Sequence, residues 1–150
     1  MNLRNYTSSA PVERSTAGIE RLLVDAGATH IARSYADNAL VGFIFTIEVS
    51  GKPITFKLPA NPAAVKRLME KGIKRARPGT ARRLQEQAAR TAWKLLHDWV
   101  HVQLSLIQMG QADAVQIFLP YAYDALKNET IYDRLKANGF KALTAGETHD

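Results

Sequence analysis

The chain has 150 residues, 46% of them hydrophobic and 23% charged, the composition of a single globular domain and not of a disordered segment. It has no cysteine, which excludes disulfide scaffolds, thiolate zinc sites and cysteine nucleophiles and fits a reducing, cytoplasmic setting. The net charge is +6, yet residues 66–83, KRLMEKGIKRARPGTARR, hold eight Lys/Arg against one Glu, so the rest of the chain sums to −1.

The lead MNLRNYTSSAPVERS has no apolar run after its Arg and does not read as a signal peptide. Pro11 and Glu13 suit a first helical turn. Val12, Thr16, Ile19, Leu22, Leu23 and Ala26 then recur at helical spacing until Gly27, which predicts a helix over 12–26. Three strands follow, at 29–36, 40–50 and 52–58, separated by Asp37-Asn38 and Ser50-Gly51. The middle strand alternates, with Val41, Phe43, Phe45, Ile47 and Val49 on one face. The pattern is an antiparallel meander with one apolar face, covered by the first helix.

After Pro59 and Pro62, residues 61–76 read as a short basic helix broken at Pro78-Gly79. Thr80 then caps a long helix from 81 to about 109, closed by Gly110. Its expected inward stripe is Leu84, Ala88, Ala92, Leu95, Leu96, Trp99, Val100, Leu106 and Ile107, with Trp99 in the core and Trp93 toward the edge. The form of DAVQIFLPYAYDAL is left open, and TIYDRLKANGF reads as a last short helix with Gly139 at its end. The expectation is one α+β domain over 1–150, with a flexible lead at 1–10 and a flexible tail at 144–150. The most apolar stretch, 93–107, is interrupted by Lys94, His97, Asp98, His101 and Gln103, so no membrane span is expected.

Few residues ask for catalysis. His97 and His101 in HDWVH share the spacing of the H-E-x-x-H zinc motif, with Asp98 in place of Glu. Arg90 and Lys94 on the same face oppose both a divalent cation and the neutral imidazoles it needs. The plainer reading is a solvated polar face formed by Arg90, Lys94, His97, His101, Ser105 and Gln108. No nucleophile elbow, phosphate-cradling glycine loop or carboxylate cluster is present. The expectation is a non-enzymatic protein that needs no cofactor.

The basic stretch is different, because a solvated helix face ordinarily mixes signs. Here Glu70 alone offsets Lys66, Arg67, Lys71, Lys74, Arg75, Arg77, Arg82 and Arg83. The last two sit at a helix N-terminus, whose dipole is already positive. Cations placed there cost stability, and a bound anion offsets the cost. Extension through Arg90 and Lys94 favours nucleic acid over a phosphorylated small ligand, with Tyr121 and Tyr123 of FLPYAY as stacking partners. The alternative is an anti-defence protein, a homo-oligomer that sequesters a signal nucleotide with Arg82, Arg83 and a tyrosine, or that inhibits a host protein.

Two resemblances bear on this. Helix, three strands and helix, with GTARRLQEQAARTAWKLL starting the later helix, resembles the order of double-stranded-RNA-binding domains, whose paired basic residues meet phosphates. The chain departs from that pattern in its displaced Ala88-Ala89 pair, its extra helix at 61–76 and its lack of a His-containing loop between the first strands. RNYTSSAPVER, LLVDAGATH and RTAWKLLHDWVHVQLSLIQMG also resemble a group of small proteins carried by tailed phages and integrated mobile elements. That resemblance implies work on DNA or against host defence, and assigns no role to any residue.

Overall fold

A computed structural model describes residues 3–145 of the chain. Helix α1 (Val12–Asp25) leads into strands β1 (Ala28–Ala36), β2 (Ala39–Val49) and β3 (Lys52–Lys57), which pair antiparallel in the order β1-β2-β3. Asp37 and Asn38, and then Ser50 and Gly51, all have positive φ, as two-residue turns matched to the twist of a hairpin require. Helix α2 (Pro62–Glu70) and the long helix α3 (Thr80–Gln108) complete the α+β order expected from the sequence.

α1 and α3 pack against each other and cover one face of the sheet. Phe43, Phe45, Phe56, Ile19, Leu23, Trp93, Leu96, Val100 and Phe118 form the buried centre. Trp93 is fully buried and lies against Phe43, while Trp99 is only partly buried, edge-on to Phe118 and Tyr121. Trp93 is thus in the core although it lies toward the edge of the expected stripe, and Trp99 packs against the core from its margin. α3 turns Trp93, Val100 and Leu104 to the sheet and leaves Leu95 and Trp99 toward the outside.

The middle strand also departs from simple alternation. Ser34 pairs with Gly42 and Tyr35 with Leu40, so Val41 is an extra residue in β2. This bulge brings Leu40 into the core and leaves Val41 exposed, although alternation places Val41 inward.

α2 is shorter than the expected 61–76. Asn61 Oδ1 accepts from the Ala64 N–H and starts it, and Glu70 ends it beside Lys66. Beyond Glu70 the next residues are Lys71, Gly72, Lys74 and Arg75, so helical spacing brings like charges together with no carboxylate between them. α3 begins one residue early, at Thr80, with Gly79 at φ 81° before it. The Thr80 hydroxyl accepts from the Arg77 N–H at 2.9 Å and closes the preceding turn.

The segment left open by periodicity forms helix α4 (Ala114–Phe118), one turn of 3-10 helix and a small hairpin of β4 (Tyr123–Asp124) and β5 (Glu129–Thr130). Asp113 and Gln116 make a reciprocal capping box that starts α4, and Thr130 and Asp133 make another that starts α5 (Ile131–Ala137). Ala122 bridges to Phe56, which ties the hairpin to the edge of β3. Among the described residues, no helix is long and apolar enough to cross a membrane. Most of the tail expected to be flexible, residues 146–150, lies outside the described residues.

Candidate nucleic-acid interface

The basic stretch divides into three parts with different surroundings. On α2, Lys66 is paired with Glu70 at 3.6 Å and Arg67 is exposed. Residues 71–79 then connect α2 to α3, and all nine are exposed. Lys71, Lys74, Arg75 and Arg77 stand on this connection, and among the described residues no carboxylate lies within ion-pairing distance of them or of Arg67 and Arg83. In the first turn of α3, Arg82 donates to Glu86 at 3.2 Å, and both side chains are largely exposed. That ion pair contributes little and is readily exchanged for another anion. Gly79 offers no side-chain oxygen to the first N–H groups of α3, so beyond Thr80, whose N–H donates to the Arg77 carbonyl at 3.0 Å, they have no side-chain cap beside Arg82 and Arg83.

Arg90 and Lys94 do not extend this surface. The Arg90 guanidinium donates to Gln87 Oε1 at 2.7 Å, and the Lys94 ammonium donates to Asp98 Oδ1 at 2.9 Å. Their side of α3 is covered by the chain's own lead. The Gln87 amide donates to the Tyr6 and Ser8 carbonyls, and the Thr91 hydroxyl donates to the Tyr6 carbonyl. Residues 3–10, expected to be flexible, therefore lie along α3 and are held there by it.

Asp98 is the anchor of this covered side. It accepts from Arg4 Nε at 3.2 Å, Asn5 Nδ2 at 3.0 Å, Lys94 Nζ at 2.9 Å and His97 Nδ1 at 3.1 Å. Desolvation pushes its pKa up, but the four hydrogen bonds outweigh it and hold the carboxyl well below the usual carboxylate range. The His97 ring is trapped between Asp98 and α1: a methyl group on Gly18 would lie 2.7 Å from its edge. His101 is exposed, and its ring centre is 6.2 Å from that of His97. Among the described residues, no three His, Asp or Glu side chains come together where they could hold a metal.

The two tyrosines lie elsewhere on the fold. Tyr121 packs edge-on against Trp99, and the Tyr123 hydroxyl donates to Asn128 at 2.7 Å while Lys57 lies over its ring. No described contact joins either to the basic connection. A cleft of about 490 Å³ opens between the β1–β2 turn, the start of α2 and α3, lined by Leu40, Val41, Pro62, Lys66 and Ala89. Asp37 also lines this cleft, and its carboxylate opposes a phosphate there, so the exposed connection is the better anion surface.

The signals that separate Arg90 and Lys94 from the rest are present in the sequence. Gln87 precedes Arg90 by three residues and Asp98 follows Lys94 by four, both neighbours on a helix surface. The role of the lead has no such signal, because its backbone carbonyls are what the helix binds. No protein-family model, curated protein or solved structure matches the chain.

Proposed function

We propose that this protein binds nucleic acid through residues 66–83, with Arg67, Lys71, Lys74, Arg75, Arg77, Arg82 and Arg83 contacting phosphates. One observation carries the reading: the cations of this exposed connection have no carboxylate partner among the described residues, whereas the partly buried Arg33, Lys66 and Lys94 are each paired with one. Arg33, for instance, donates to Glu20 at 2.9 Å and lies over the Phe43 ring. Unpaired cations held within one loop repel each other, and a polyanion relieves that repulsion while releasing its counterions.

Phosphate contacts without base-reading side chains give binding that is largely independent of sequence. Work in the cytoplasm as an accessory protein of a phage or mobile element fits this activity, and the sequence resemblance favours that setting. Fluorescence anisotropy with single- and double-stranded DNA and RNA oligonucleotides, at two salt concentrations, tests the proposal. With about six phosphates contacted, affinity falls by roughly 10³-fold between about 50 and 200 mM salt. An affinity independent of salt rejects it. Saturable binding of a mononucleotide but of no oligonucleotide rejects it in favour of nucleotide sequestration.

A further inference from the structure

The outer face of α3 carries a seam that the fold closes only in part, at Trp99, where Phe118 and Tyr121 pack. Leu95, Trp99, Val102, Leu106 and Met109 follow one another at intervals of four, three, four and three residues. That 3.5-residue mean period keeps them on one side of the helix, away from the side that meets the sheet. Leu95 is 42% exposed, Val102 59% and Met109 76%, while Trp99 and Leu106 are partly buried. The three exposed side chains alone present on the order of 300 Å² of apolar surface, the lower end of the largest patch on a typical monomer.

Toward the N-terminus of α3 the same side of the helix is already an interface. Leu84 and Ala88 continue the seam there. α2 packs over that part of α3, Ala88 is buried, and Leu84 lines a cleft together with Met69. α2 therefore closes one half of a continuous helix-packing surface, and in the other half Leu95, Val102 and Met109 stay exposed around the covered Trp99.

We infer that the open half is closed by a second copy of this chain, in an antiparallel pairing of the two α3 helices with the two-fold axis near Val102. Three observations select that occupant. The 3.5-residue period is the one that lets two helices stay in register along their length. Residues 95–112 contain a single charged side chain, Asp98, which is already neutralised within its own chain, so two copies of a +6 protein meet there without like-charge repulsion. In an isologous pairing the exposed length, about 21 Å at 1.5 Å per residue, is shared by both copies, so Leu95, Val102 and Met109 of each are covered together.

Charge also fixes the direction. A parallel pairing sets the two basic connections side by side at one end of the dimer. In the antiparallel pairing each α3 N-terminus lies roughly 33 Å from the axis, on opposite sides, so the two +7 stretches are separated by several Debye lengths.

The absence of cysteine makes the geometry directly testable. In sedimentation equilibrium at concentrations up to roughly 100 µM, the wild type is expected at twice the 16.6 kDa chain mass. Val102→Glu is expected at the single-chain mass with an unchanged circular dichroism spectrum and melting temperature, because the side chain is exposed. A short bismaleimide should cross-link Val102→Cys to itself. It should also join Leu95→Cys to Met109→Cys in a mixture, and leave Leu95→Cys alone uncross-linked. A monomeric wild type, or a dimer that survives Val102→Glu, overturns the proposal. Self-cross-linking of Leu95→Cys overturns its antiparallel direction.

Discussion

The positive charges around Asp98 and those between α2 and α3 receive opposite treatment. At Asp98, Arg4, Asn5, Lys94 and His97 all donate to one carboxylate, and the result ties the lead, α1 and α3 together. Between α2 and α3, four cations share a connection with no carboxylate in reach among the described residues. The first arrangement holds the protein's own parts. The second contributes nothing to the fold and has a cost in self-repulsion, which is why it is read as a surface for a partner.

The largest test of that contrast changes Lys74, Arg75, Arg77, Arg82 and Arg83 to Gln. Oligonucleotide affinity is expected to drop by about 10³-fold at low salt in anisotropy titrations, while thermal stability stays within about 0.5 kcal/mol of the wild type. A variant that binds as well as the wild type breaks the contrast, because the unpaired cations would then have no function in binding.

The next test works from the other side. Gly18→Val forces the His97 ring from its place between α1 and Asp98, and overpacking of this kind costs about 1–3 kcal/mol. The melting temperature should fall while oligonucleotide affinity at low temperature is retained. Asp98→Asn sharpens the same point through pH. Because hydrogen bonds hold the Asp98 carboxyl below its unfolded value, its stabilisation is fully present above about pH 4 and is lost as pH falls further, through its folded pKa. The stability advantage of the wild type over Asp98→Asn in urea titrations should therefore be full at pH 7 and shrink progressively below pH about 4. The smallest effect is expected for Lys94→Gln, which should change oligonucleotide affinity by less than about two-fold, since its ammonium is already paired with Asp98. A larger loss there would extend the interface along α3.

How much of this was legible in the sequence depends on whether a pattern or a partner decides the residue. The two tight turns and the alternation of β2 from Phe43 to Ile47 follow from local chemistry and are found where expected. Val41 is not, because a bulge is set by the pairing partner in β1. α3 carries two apolar stripes, one through Trp93, Leu96, Val100 and Leu104 and one through Leu95, Trp99, Val102 and Leu106. Periodicity detects both but does not say which meets the sheet; that depends on what the rest of the chain brings to it. α5 is found where TIYDRLKANGF predicts it, whereas α4 has a readable capping box in Asp113–Gln116 but is too short for a hydrophobic period to show. The basic stretch is the most legible feature, since charge is counted directly. Its limits are less so, because Arg90 and Lys94 belong to it by sign and not by surroundings.

The manner in which α3 holds the lead has a consequence for tolerated sequence change. Gln87 and Thr91 bind the Tyr6 and Ser8 carbonyls, groups that every residue possesses, and the neighbouring Thr7 and Ser9 side chains are exposed. Substitution at positions 7 and 9 therefore leaves the attachment intact so long as the backbone keeps its path. Deleting one residue there shifts both carbonyls out of reach and separates Asn5 from Asp98. Along this segment the spacing is constrained far more tightly than the identity of the residues that provide it.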